Sequence, residues 1–84
     1  MPIFKQRNRL TIFAEILKTT SESVESITKT DIVKSVNLSY AQADKFLSIL
    51  LTEELLCLDM ENKYELTKKG LEFVKNIKSM NLEV

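Results

Sequence analysis

The chain has no histidine, no tryptophan, one cysteine, one glycine and one proline in 84 residues. Each shortage removes a class of chemistry. Without histidine, neither a Ser-His nor a Cys-His nucleophile pair can be assembled. One thiol, Cys57, with no imidazole cannot complete a Cys/His zinc site, nor can it form an internal disulfide. A lone glycine does not make a Gly-rich phosphate loop. No apolar run approaches the roughly 20 residues that a membrane-spanning helix needs. The N-terminal MPIFKQRNRL is polar and basic, without the apolar core or small-residue cleavage site of a signal peptide. A free thiol in a chain without disulfides fits a reducing, cytoplasmic setting. Most familiar enzyme chemistry is therefore excluded, no cofactor is expected, and a binding protein is the natural expectation.

Net charge is missing too, since twelve basic and twelve acidic residues cancel. That balance argues against a nucleic-acid packaging protein, which carries a strong positive excess. The charges are nevertheless sorted along the chain. Residues 1–18 carry a local +3 through Lys5, Arg7, Arg9 and Lys18 against Glu15. Residues 53–66 carry a local −4 through Glu53, Glu54, Asp59, Glu61 and Glu65 against Lys63. Residues 67–84 return to +2. Such a dipolar molecule can present a basic face without being basic as a whole.

At 44% hydrophobic and 29% charged, the composition is that of one small globular domain over residues 1–84, its core within about 7–80. A chain of this length buries only about 60–65% of its unfolded surface, so a partner subunit would help it. The first helical pattern covers about 7–18, with Leu10, Phe13, Ala14 and Leu17 on one stripe and Ile12 and Ile16 widening it. TTSESVES follows as a loop, after which Ile27 pairs briefly in a sheet. A short helix over about 30–36 is expected to be capped by Thr30 or Asp31. Ser39 opens the strongest helix, about 39–53; Ser39 and Gln42 have capping-box spacing, and Ala43, Phe46, Leu47 and Leu50 form its apolar stripe. Two strand-like runs, 55–60 and 63–66, flank a tight turn at Glu61-Asn62. Thr67 then caps a last helix with Leu71, Val74 and Ile77 on one face and Phe73 beside it.

Helix, short helix, tight turn, longer helix, hairpin and helix is a mainly α, α+β arrangement: a winged helix-turn-helix with a three-helix core, a wing and a C-terminal helix. It leaves the solvent face of the third helix free to enter a groove. In NLSYAQADKFLSILLTEELL followed by YELTKKGLEFV, the chain resembles the small archaeal-type winged-helix DNA-binding proteins, which are transcriptional regulators. Asn37, Leu38, Ser39 and Tyr40 match the family's turn. Tyr64, Leu66, Thr67, Lys69 and Gly70 match its L-T-x-K-G hairpin exit. Two features depart from that family. It has Gly after the third helix, whereas this chain has Glu53-Glu54, so the turn must close another way. Its wing often approaches the phosphate backbone, whereas this wing is acidic.

On the third helix Ser39, Tyr40, Gln42, Lys45 and Ser48 are expected as contacts to double-stranded DNA in the major groove, provided Asp44 points away from phosphate. Arg7 and Arg9 at the first helix, Lys63 on the wing, and Lys68 and Lys69 at the last helix are candidates for phosphate. Basic residues at a helix N-terminus oppose its dipole, which leaves room for a functional reason. Ile12, Ile16, Phe73 and Ile77 exceed the needs of a narrow core stripe and are expected at a homodimer interface of the first and last helices. The transcription machinery is a further candidate partner. Asp59 and Glu61 read as a solvated turn rather than a metal or acid–base pair, and Cys57 as a small buried hydrophobe. The zero net charge and acidic hairpin keep a second reading open, a protein-interaction module that does not touch DNA.

Overall fold

The computed structural model describes residues 8–23 and 25–80, with side chains through residue 76. In chain order it has α1 (Arg9–Ser21), α2 (Lys29–Val36), α3 (Tyr40–Thr52), β1 (Leu56–Leu58), β2 (Tyr64–Leu66) and α4 (Lys68–Met80). The expected winged-helix arrangement is what forms. β1 and β2 pair antiparallel, Leu56 opposite Leu66 and Leu58 opposite Tyr64. Ile27 adds a one-residue bridge on the far side of Tyr64, as its sequence position leads one to expect.

Each helix is begun by a side chain that takes up a free amide. Asn8 caps α1, its Oδ1 accepting from the Thr11 amide at 2.7 Å. The cap of α2 is Thr28, not Thr30 or Asp31. Thr28 Oγ1 accepts from the Asp31 amide at 3.1 Å while Asp31 returns the bond to the Thr28 amide, so Asp31 is the second half of a capping box. On α3 the expected box is present, with Ser39 and Gln42 exchanging bonds of 3.1 Å. α1 runs to Ser21, past the expected end at residue 18. There the hydroxyls of Thr20 and Ser21 donate to the carbonyls of Ile16 and Lys18, both at 2.8 Å, and so stay on the helix instead of opening a loop.

The ends of α2 and α3 depend on left-handed residues. Asn37, at φ 60°, stops α2. At the end of α3, Glu54 takes φ 63°. The Leu55 amide then reaches the Leu50 carbonyl at 2.9 Å and the Glu54 amide reaches Leu51 at 3.0 Å. These are the two bonds of a Schellman closure, made here without glycine.

The core joins Ile16, Leu17, Ile32, Leu47, Leu50 and Leu56, all fully buried. The Phe13 and Phe46 rings lean edge-on at 5.2 Å beside it. Ala43, Phe46, Leu47 and Leu50 are the buried stripe of α3, as expected. α1 differs from its expected pattern. Its buried arc is Thr11, Ile12, Ile16, Leu17 and Thr20, whereas Leu10 is 48% exposed. Ile12 and Ile16 are therefore core residues and not the interface residues the sequence leads one to expect. α1 packs against α2, β2 and α4 together, and that wide contact uses the extra apolar side chains. Phe73 is half-buried against the core, and the Ile77 side chain lies outside the described residues. Cys57 is exposed, not buried, because it pairs with Glu65 on the face of the hairpin that turns away from the buried Leu56 and Tyr64.

Gly70 sets the distance between α4 and the start of the hairpin. A Cβ there would stand 2.2 Å from the Leu55 carbonyl oxygen, so only glycine fits without movement.

Candidate nucleic-acid interface

Tyr40, Ala41, Gln42, Asp44, Lys45 and Ser48 are exposed on α3, opposite the buried stripe. Two ties hold this helix to α2. The Tyr40 hydroxyl shares a 3.0 Å hydrogen bond with Thr30 Oγ1, and the Lys29 ammonium pairs with the Asp44 carboxylate. The hydrogen bond to Asp44 holds the Lys29 ammonium above the ordinary lysine pKa, so the lysine stays charged well past neutral pH. The one carboxylate on this stretch of α3 thus arrives with its own counter-charge. Sequence reasoning marks Asp44 as a problem and misses Lys29, fifteen residues away, because helical spacing within α3 says nothing about a neighbour on α2.

The candidates differ in how occupied they are. Ser39 and Gln42 serve the capping box, and Tyr40 is tied to Thr30. Lys45 and Ser48 have no side-chain hydrogen bond or ion pair among the described residues. Lys34, which the sequence reading does not single out, is exposed on α2. Its position opposite Ile32 and Val36 is the signal that could have found it. Arg9 is exposed at the first position of α1, one turn before Phe13. Because Phe13 packs on Phe46 of α3, that end of α1 lies beside α3. Arg7 lies outside the described residues.

The lysines at the start of α4 have a structural explanation for one of the pair. Lys69 Nζ donates to the Glu53 carbonyl at 2.9 Å, at the C-terminal end of α3. A cation there favours the dipole of α3 and takes up one of its free carbonyls. Lys68 remains exposed. Thr67 caps α4 as expected, accepting from the Gly70 amide at 2.9 Å while donating to the Glu54 carbonyl at 2.6 Å.

The wing is acidic in space as well as in sequence. Glu53, Glu54, Glu61 and Glu65 are exposed, and Lys63 leans on Glu61 at 3.5 Å. Asp59 is different, since its carboxylate is built into the turn. It accepts from the Ser26 hydroxyl at 2.5 Å and from the Glu61 and Lys63 amides at 2.8 and 2.9 Å. These bonds, the one from Ser26 foremost, hold its pKa below the ordinary carboxylate value. The turn is longer than the expected Glu61-Asn62 pair. The Asn62 amide bonds back to Asp59 and Asn62 takes φ 63°, a type I turn followed by a left-handed bulge residue. Among the described residues no cluster of His, Cys, Asp or Glu could hold a metal ion, and no helix is long and apolar enough to cross a membrane.

Known structures share this fold. A protein of unknown function from Listeria innocua superposes with a TM-score of 0.72 at 18% identity, over 81% of this chain and 50% of that one. MepR, a transcription regulator of the Staphylococcus aureus multidrug efflux pump MepA, gives 0.71 at 19% identity, over 82% of this chain and 55% of that one. The Agrobacterium tumefaciens repressor BlcR gives 0.69 at 17% identity, over 89% of this chain and 30% of that one. The chain thus spans about half of the first two and less than a third of BlcR, and at these identities the likeness is one of fold. No curated protein matches the sequence at a significant level. The family model for winged helix-turn-helix proteins, by contrast, matches residues 6–83. With the helix pair, its left-handed turn and the hairpin all in place, the chain belongs to the winged helix-turn-helix family.

Proposed function

We propose that this chain binds double-stranded DNA as a transcriptional regulator, with α3 laid in the major groove. The observation that carries this reading is the outward face of α3. It offers Lys45 and Ser48 unengaged among the described residues, and its one carboxylate, Asp44, is neutralised by Lys29. A helix held at both ends and tied to α2 is presented with little freedom left to lose on binding. Around it Arg9, Lys34 and Lys68 supply cations for phosphate, while Ser39, Tyr40 and Gln42 place the first turn of α3 against the backbone. No catalytic role is assigned. The fold likeness to MepR and BlcR, described as a transcription regulator and a repressor, supports the regulatory part. A homodimer through α1 and α4 belongs to the same proposal. Leu10 and Leu71, 48% and 41% exposed, replace Ile12 and Ile16 as its apolar contacts, with Phe73 at its edge.

The test is fluorescence anisotropy with mixed-sequence duplex across a salt series. The log affinity should fall against log salt with a slope of about −3 to −6, the mark of several phosphate contacts. A folded protein that binds no duplex at low salt would overturn the reading. The acidic wing supports a second reading, in which the domain docks another polypeptide. The exposed carboxylates of Glu61 and Glu65, with Met60 fully exposed between the strands, favour a basic partner over a phosphate backbone.

A further inference from the structure

The face of α3 has a centre and two flanks, and the bonds in the structure tell them apart. Tyr40 and Asp44 lie toward α2, where Thr30 and Lys29 hold them. Gln42 lies on the other flank and returns its side chain to the Ser39 amide. Between the flanks runs a line of exposed side chains at i, i+4, i+7 and i+11: Ala41, Lys45, Ser48 and Thr52. It is the line farthest from the buried stripe Ala43, Phe46, Leu47 and Leu50.

This line is short and chemically uneven. At about 1.5 Å of rise per residue, Ala41 to Ser48 covers roughly 10 Å, which is about three base-pair steps of roughly 3.4 Å. Thr52 sits beside Glu53 and Glu54, whose carboxylates keep that end away from a polyanion. Reading then falls to the N-terminal part of the helix, the usual contact region of a recognition helix. Of its three side chains, Lys45 is the one charged donor. In the major groove the paired acceptors O6 and N7 of guanine match a lysine, while adenine sets an amino group beside its N7. Ala41 carries only a methyl group, which suits the thymine methyl. Ser48 donates or accepts and so discriminates weakly.

On the DNA-binding reading above, we propose that Lys45 is the specificity-determining residue of this domain. It selects a guanine in a core of about three base pairs, with Ala41 against a neighbouring thymine. Tyr40, Gln42, Lys29 and Asp44 hold the helix and select no base.

The experiment is selection from a randomised duplex pool with the wild type, Lys45→Gln, Lys45→Ala and Gln42→Ala, each checked for folding by circular dichroism. Lys45 is exposed and unpaired among the described residues, so its variants should fold. The wild-type motif should hold a guanine favoured by roughly tenfold or more, the size of one good base contact. Lys45→Gln should move that preference to adenine, because glutamine pairs with adenine N6 and N7. Lys45→Ala should lose the preference at that position and keep the rest of the motif. Gln42→Ala should lower affinity evenly over all sequences, as the loss of a backbone-positioning residue does, without moving the motif. A guanine preference that survives Lys45→Gln, or affinity of the Lys45 variants that drops evenly over all sequences, would overturn the assignment and leave Lys45 a phosphate contact. Salt-dependent wild-type binding with no enriched motif would also overturn it, while the DNA-binding function stands. Absence of any binding by folded wild type would overturn both.

Discussion

Among the described residues three other than glycine have positive φ, and their side chains separate them: Asn37, Asn62 and Glu54. Asparagine tolerates the left-handed region because its short amide bonds locally. Glutamate has no such compensation, and its Cβ crowds the following carbonyl. The position is fixed by the closure of α3, whose two return bonds need that backbone angle. Glu54 therefore carries strain of about 1–2 kcal/mol that glycine would relieve, less roughly 0.4–1 kcal/mol for the extra chain entropy glycine brings to the unfolded state. Glu54→Gly should raise stability by roughly 0.5–1 kcal/mol, seen as a higher urea midpoint with an unchanged slope. Glu53→Gly, at a position with φ −81°, should give no gain. If both variants behave alike, strain at Glu54 is not what limits the turn. Lys69 makes a related point about single residues. Sequence position puts it at the wrong end of α4, but its ammonium serves the C-terminus of α3.

At the scale of elements, what is legible in the sequence is what is local. The capping box of α3, its buried stripe and the Thr67 cap each depend on residues within one or two turns, and all three appear as the sequence indicates. What is not legible depends on neighbours. α1 buries a wider arc than its own periodicity shows because three elements press on it. Thr28 caps α2 because Asp31 answers it, whereas the sequence alone leaves Thr30 and Asp31 equally plausible. Cys57 reads as buried in an apolar run, but its partner across the hairpin is the exposed Glu65, so it lies on the outer face of the two strands. The site follows the same rule: the spacing marks Lys45 and Ser48 as outward, whereas the Lys29–Asp44 and Tyr40–Thr30 ties cross between helices. Gly70 joins both kinds. Its motif places it at the hairpin exit, and the structure supplies the opposing atom. Gly70→Ala sets a methyl against the Leu55 backbone oxygen, 2.2 Å from the ideal Cβ position, and backbone cannot rotate aside as a side chain can. The variant should lose about 1–3 kcal/mol despite alanine's better helix propensity, as a thermal melt would show. A melting temperature equal to or above wild type would mean that α4 shifts freely on the hairpin.

Over the whole molecule the charges sum to zero, and their placement decides how it meets a polyanion. Cations stand at Arg9, Lys34 and Lys45, near or on the helix pair, while at the far end of α3 and on the wing Glu53, Glu54, Glu61 and Glu65 outnumber Lys63, Lys68 and Lys69. A duplex lying along α3 is attracted at one end and repelled at the other. Affinity at low salt is then a difference between the two, and the wing sets its smaller member. Reversing the wing charge with Glu61→Lys and Glu65→Lys together should raise affinity for mixed-sequence duplex and steepen the salt slope by roughly 1 to 2, one counterion term for each lysine that reaches a phosphate. The turn is held by Asp59 and Ser26, and among the described residues the pair of substitutions removes only the loose, exposed contact of Glu61 with Lys63. The double variant should therefore fold as the wild type does. The guanine preference should not move, because added phosphate contacts act on all sequences alike. An unchanged slope and affinity would mean that the wing stays clear of the duplex, leaving its acidic face with Met60 and Leu58 open to a basic polypeptide while α3 occupies the groove.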